Sequence, residues 1–226
     1  MNNVATTSRT ALLAGATGLV GRALLSLLLA SSRYRVVHVL ARRTLPDINT
    51  HEKLKILQVD FARLPALPAV NDVFIALGTT LKIAGSEAAF RQVDFDYVVN
   101  VARAAKAAGA MRLAVVSALG AAAKSRIFYN RVKGEMEVSL AQLGYETLLI
   151  AQPSMLLGDR SALGQPPRSG ELWAERLLVP LAWIMPRGVR PIPARAVASA
   201  LVGAMLDAKP GVHILKSGAM QAHYEP

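Results

Sequence analysis

Tyr129 and Lys133 stand four residues apart in a segment with helical periodicity, and Ser117 precedes the tyrosine by twelve residues. Residues four apart on a helix share a face. An ammonium beside a phenol favours the phenolate and lowers the tyrosine pKa, which makes it a usable proton donor or acceptor in carbonyl–alcohol chemistry. A serine at a strand end can hydrogen-bond the substrate oxygen. A second group lies near the start of the chain, in Ala11-Leu12-Leu13-Ala14-Gly15-Ala16-Thr17-Gly18-Leu19-Val20-Gly21. An apolar run followed by glycines at three-residue spacing and then a helical pattern is how a phosphate cradle is written in a nucleotide-binding α/β domain. Gly15 allows the tight turn, Gly18 lets backbone approach a pyrophosphate, and Gly21 brings the helix close to the sheet. Backbone N–H groups at the helix start, around Thr17, Leu19 and Val20, would hold the phosphates. The spacing G-x-x-G-x-x-G meets the dinucleotide fingerprint only in part. Together the two groups imply a reductase-type site beside a nicotinamide cofactor.

The elements that must position these residues alternate along the chain. Strands are expected at 10–14, 35–40, 54–59, 72–77, 113–116 and 147–151, and helices at 20–30, 87–108 and 128–143. Gly109 and Gly144 close the last two helices. The strands are short continuous apolar runs, which suits a parallel sheet covered on both faces. The expected fold is therefore α/β, a doubly wound parallel sheet of Rossmann type. In such sheets the ligand lies at the carboxyl ends of the strands, where Gly15, Gly78, Ser117 and Pro153 all fall. From Gly158 onward prolines and glycines accumulate. This reads as a loop-rich substrate portion built onto a single domain spanning 1–226, with 158–190 as an insertion on the substrate side.

Composition narrows the function classes. Hydrophobic residues make up 53% of 226 residues, enough for a substantial core. The absence of cysteine excludes disulfides, thiolate metal sites and a cysteine nucleophile. The four histidines show no ligand spacing, so no metal is inferred. No apolar run reaches the roughly 18–20 residues of a membrane helix. With no secretory signal and no cysteine, a cytoplasmic location is expected. A net charge of +11 favours anionic ligands. The basic residues are scattered and aromatics make up only 5%, so nucleic acid is not the expected partner. The expected partner is a small carbonyl or alcohol substrate. A homodimer is compatible with the sequence.

Further candidates surround the cofactor. Arg42 and Arg43 follow the second strand, with no carboxylate before Asp47. An NAD site usually places an acidic residue there, whereas guanidinium groups suit a 2′-phosphate, so NADP(H) is expected over NAD(H). Asp60 can accept from the adenine amino group or cap a helix, and the two readings stand equal. Leu77, Gly78, Thr79 and Thr80 can line the cofactor. Asp94 and Asn100 lie in the long helix, where either can support the site through a water; the preferred reading of both is as ordinary polar positions of the helix. Trp173 and Trp183 can cover a pocket or anchor a C-terminal core.

Gly15 through Gly21, Ser117 and Tyr129-Asn130-Arg131-Val132-Lys133 resemble the short-chain dehydrogenase/reductase superfamily, in its atypical or extended branch. Leu77-Gly78-Thr79-Thr80, Phe90-Arg91-Gln92-Val93-Asp94, Ser117 through Ala121, Tyr129 through Glu135 and Pro191 through Ala198 are similar to the Tat-interactive-protein-like oxidoreductases. The resemblance covers most of residues 10–200. It implies a Rossmann-type domain with NADPH along Gly15–Gly21 and near Arg42 and Arg43, and Ser117, Tyr129 and Lys133 as the catalytic set. Two positions depart from it: Gln152 precedes Pro153 where relatives often carry arginine, and Asp94 stands where many members carry a supporting asparagine. Three functions follow. The first is an NADPH-dependent oxidoreductase with Tyr129 as acid/base. The second is an NADPH-binding regulatory protein acting through a partner. The third is an epimerase-like enzyme on nucleotide sugars, for which the C-terminal portion is short.

Overall fold

The computed structural model describes residues 8–44, 51–157, 186, 188–207 and 209–222. Most of 158–190, both tryptophans, Asp47 and His223 lie outside these residues. Strands β1 (Arg9–Ala14), β2 (Tyr34–Ala41), β3 (Leu54–Gln58), β4 (Asp72–Ile75), β5 (Arg112–Val116), β6 (Thr147–Gln152) and β9 (Gly211–Lys216) form one sheet in the order β3-β2-β1-β4-β5-β6-β9. Every pairing in it is parallel. A two-stranded pair, β7 (Leu156–Leu157) and β8 (Ile192–Pro193), stands apart. The order reverses between β1 and β4, the switch point at which doubly wound sheets bind ligands.

Both faces of the sheet are covered, as the unbroken apolar strands require. Adjacent strand residues serve opposite layers. Leu13, Phe74 and Leu149 pack with Leu24 and Leu28 of α1 (Leu19–Ala30) and with Leu201 and Met205 of α6 (Ala194–Asp207). Leu12, Val73, Ile75 and Leu148 pack with Val101 and Ala105 of α4 (Tyr97–Ala107) and with Met136 and Leu140 of α5 (Phe128–Ala141). The first glycine turn is closed by contact. A Cβ on Gly21 would lie 1.9 Å from the Gly15 carbonyl oxygen, and Gly15 itself has φ +93°. No side chain other than hydrogen fits that crossing of helix and strand.

Two expectations need correction. The helix expected over 87–108 is three pieces: α3 (Glu87–Arg91), a π turn (Gln92–Asp96) and α4. In the π turn the Tyr97 N–H reaches the Gln92 carbonyl five residues back. The region beyond Arg190, expected as loop, holds β8, α6, β9 and α7 (Ser217–Ala222), and β9 is the seventh strand of the main sheet. Pro191 and Pro193 lie before α6, where they do not interrupt it, and 194–207 is rich in alanine, the best helix former.

At the amino ends of the strands a buried carboxylate ties four strands together. Asp72, the first residue of β4, is fully buried. It accepts two bonds from Arg9 (2.8 and 2.9 Å), two from Arg112 (2.7 and 2.8 Å) and one from the Tyr34 hydroxyl (2.9 Å). Arg9, Tyr34 and Arg112 are the first residues of β1, β2 and β5. Burial first, and then the Asp72 charge, push the Tyr34 phenol far above its usual range, so it stays a neutral donor. Asp72→Asn leaves two guanidinium groups without their counter-ion. The arginines are partly exposed, so the expected loss is about 3 kcal/mol, or about 6–12 °C in Tm. Thermal denaturation followed by circular dichroism checks this; a shift under about 2 °C would show that the clamp contributes nothing.

Candidate active site

At the opposite, carboxyl ends of the strands, α5 carries a stripe of Tyr129, Lys133 and Glu137 at four-residue intervals. Such residues lie one above another on one face. Lys133 is buried, its side chain only 4% exposed, and its Nζ lies 2.7 Å from Oδ1 of Asp94, which is 1% exposed. The other oxygen, Oδ2, accepts the Thr79 N–H at 2.8 Å. Asp94 sits inside the π turn, the kind of local widening that recurs at functional sites. The reading of Asp94 as an ordinary polar residue of a helix is therefore corrected. Burial alone would pull the Lys133 ammonium down. The Asp94 carboxylate, with Tyr129 and Glu137, more than offsets it, and the net pKa lies above the ordinary lysine value. Lys133 is a charged group held inside the protein.

Two glycines allow close approaches around this part of α5. A Cβ on Gly78 would stand 3.3 Å from Asp94 Oδ1 and 3.8 Å from Lys133 Nζ, so backbone passes directly over the ion pair. Gly134, which follows Lys133, lies under the loop leaving β5, where a Cβ would be 2.2 Å from the Ala122 carbonyl carbon. A glycine inside a helix is the sequence signal for such a close approach. The same loop is pinned by the Ala122 N–H on the Asn130 carbonyl (3.0 Å).

Ser117 lies at the end of β5 and is buried. Its hydroxyl donates to Glu137 in a short hydrogen bond. Both Glu137 oxygens accept from Gln152 Nε2 at 3.0 Å, and Gln152 Oε1 accepts from Lys216 Nζ at 2.7 Å. Glu137 was not foreseen, although it continues the spacing that marks Tyr129 and Lys133. Gln152, noted as a departure, has a definite place in this chain of contacts. The Tyr129 ring packs against Phe90 of α3, with centroids 5.4 Å apart, and its hydroxyl donates to no described residue.

The cofactor-side candidates fall at the same end of the sheet. α1 starts at Gly18 with no side-chain cap and no acidic residue in its first turn, so nothing repels an anion there. A Cβ on Gly18 would meet only ordinary contacts, at 3.6 and 4.0 Å. The protein itself does not demand glycine at that position, which fits a backbone kept bare for a ligand. Thr17 is exposed, Leu19 half-buried, and Val20 turns its side chain into the core. Arg42 lines an open cleft of about 420 Å³ with Gln58, Val59 and Asp60. Arg43 is exposed beside it. Asp60 caps no helix. Its Oδ1 closes a turn by accepting the Ala62 N–H at 2.9 Å. Leu77 is half-buried and Pro153 buried, its carbonyl accepting the Leu119 N–H (2.8 Å). Thr80 is diverted from the cofactor, since its hydroxyl caps the short helix α2 (Leu81–Ala84). Asn100 donates to the Phe61 carbonyl (3.2 Å) and tethers a loop to α4. Among the described residues no cluster of His, Cys, Asp or Glu could hold a metal. None of the described helices is long and apolar enough to cross a membrane.

Comparison with known proteins agrees with this geometry. A family model described as NAD(P)H-binding matches residues 15–145. The mitochondrial protein FMP52 of Eremothecium gossypii is 36% identical over 151 residues, 66% of this chain and 67% of that protein. Protein HTATIP2 of Rattus norvegicus is 34% identical over 176 residues, 75% of this chain and 71% of that protein. The chain thus spans about two thirds of the curated relatives it matches. Among solved structures, MoeE5 in complex with UDP-glucuronic acid and NAD aligns with TM-score 0.68 at 18% identity, covering 92% of this chain and 76% of MoeE5. The oxidoreductase ylbE from Lactococcus lactis aligns with TM-score 0.64 at 16% identity, covering 96% and 99%. At these identities the likeness is one of fold. The expected cytoplasmic location is overturned, because seven of the curated relatives are named as mitochondrial proteins. A chain without cysteine suits more than one compartment, so composition did not decide the matter. The fold, the glycine turn and these matches place the chain in the NAD(P)H-binding family.

Proposed function

We propose that this protein is an NADPH-dependent oxidoreductase that interconverts a carbonyl and an alcohol, with Tyr129 as the acid/base. The observation that carries this reading is the Lys133 ammonium, held buried by Asp94 under Gly78, one helical turn from Tyr129. A bound nicotinamide supplies or accepts the hydride. The remaining work falls to side chains. Tyr129 gives a proton to the substrate oxygen in reduction and takes it in oxidation. Lys133, kept charged, stabilises the phenolate that reduction leaves behind and reaches for the nicotinamide ribose. Ser117, whose hydroxyl donates to Glu137 in this structure, turns that single proton to the substrate oxygen and orients it. Phe90 fixes the plane of the Tyr129 ring.

Residues Gly15, Thr17, Gly18, Leu19, Val20 and Gly21 hold the pyrophosphate through backbone N–H groups. Leu77, Gly78, Thr79 and Pro153 line the nicotinamide half. Asp60 lies in the cleft that takes the adenosine, and Arg42 with Arg43 binds the 2′-phosphate. Arg42→Ala then weakens NADPH about 10- to 100-fold, the worth of a charge-assisted contact, and leaves NADH within about threefold. Calorimetric titration of both cofactors tests it; equal losses would remove the basis for NADPH preference. Tyr129→Phe is expected to lower turnover about 10²- to 10⁴-fold while sparing NADPH affinity. The assay follows NADPH oxidation over a panel of small aldehydes, ketones and quinones. Unchanged turnover in the variant would contradict the assignment of Tyr129.

A further inference from the structure

We infer that Asp94 is a positioning residue that sets the balance between oxidised and reduced cofactor, by cancelling the charge of Lys133 inside the site. The inference rests on the proposed nicotinamide site and adds to it the question of which redox form that site prefers. A lone buried ammonium at the strand ends would repel the positive ring of an oxidised nicotinamide and leave the neutral reduced ring untouched. Here the ammonium is not alone. Asp94 Oδ1 lies 2.7 Å from Nζ, and both side chains are almost wholly buried. The carboxylate is fixed from its other side by the Thr79 N–H and carried by a π turn that faces it inward. Gly78 places no side chain against the pair, where a Cβ would stand 3.3 Å from Asp94 Oδ1.

The neighbouring charges do not substitute for Asp94. Glu137 also acts on Lys133, but its oxygens accept from Ser117 and Gln152, and Lys216 stands behind Gln152. Arg91, on the helix before the π turn, is paired with Glu135 and lies over the Phe95 ring. Asp94 alone among the described residues forms an ion pair with Lys133. The pair therefore brings no net charge into the site, and its field separates oxidised from reduced cofactor far less than a lone ammonium would, while Lys133 still faces the nearby Tyr129 as a cation.

The test is a charge cycle read as the ratio of Kd for NADP⁺ to Kd for NADPH, by calorimetry on wild type, D94N, K133M and the double variant D94N/K133M. A unit charge within about 10 Å at an effective dielectric of about 20–40 changes such a ratio roughly four- to fifteenfold. D94N should move it that far against NADP⁺, K133M should move it the other way, and the double variant should return to the wild-type ratio. A loss of contact with the ribose affects both forms alike and cancels in the ratio. If D94N does not fold, K133M and the double variant still decide. Ratios that stay together in all folded variants, or that move in the same direction in D94N and K133M, would overturn the inference. NAD⁺ and NADH give the same ratio if that pair binds more tightly, so a wrong reading of Arg42 leaves this test intact. Absence of any nicotinamide binding to wild type would overturn both this inference and the function it rests on.

Discussion

Burying an ammonium in a protein interior is unfavourable unless a counter-charge and hydrogen bonds accompany it. Asp94 supplies the counter-charge to Lys133 and is itself held by the Thr79 N–H, and much of the local architecture serves that pair. The π turn in the middle of what would otherwise be one long helix presents Asp94 to Lys133. The turn after β4 brings the Thr79 N–H to the second carboxylate oxygen. Gly78 lets the chain pass close to the ion pair, and Gly134 lets the loop after β5 pack against α5. With Lys133 fixed, Tyr129 is fixed one turn before it and Glu137 one turn after, and Ser117 finds its partner in Glu137.

The strand clamp and the candidate site lie at opposite ends of the sheet. The amino ends of β1, β2, β4 and β5 are held by the Asp72 cluster, in which every partner is a strand-first residue. The carboxyl ends carry the glycine turn, Gly78, Ser117 and Pro153. A carboxylate shared by two bidentate arginines is a rigid anchor, and it lets the loops at the far end diverge in sequence without loosening the strands. The two buried acids therefore have different partners: Asp72 joins strands, and Asp94 balances the buried Lys133 charge.

How much of this was legible in the sequence follows from what each element depends on. Continuous apolar strands and the glycine spacing are local signals, and they gave the parallel sheet, its coverage on both faces and the turn at Gly15–Gly21. Tyr129 and Lys133 were legible as a pair because four-residue spacing has one meaning on a helix. Asp94 was not, because its value comes from a π turn and from contact with Lys133 39 positions away in sequence. Glu137 could have been found by extending the stripe by one more turn. The C-terminal strand β9 was missed because its residues are mostly exposed on a sheet edge and its apolar pattern is weak. Prolines at 191 and 193 suggested loop where they only precede a helix. Location could not be read from composition at all.

The most direct measurement is a crystal structure of the protein with NADPH bound. Phosphates against the Gly15–Gly21 turn, with Lys133 Nζ contacting both Asp94 and a ribose hydroxyl on the nicotinamide side, is the predicted result. A nicotinamide half lying away from Tyr129, with Lys133 sealed beneath Gly78 and touching only Asp94, would contradict it. The buried pair would then be a structural tie, and the chemistry assigned to α5 would have no basis.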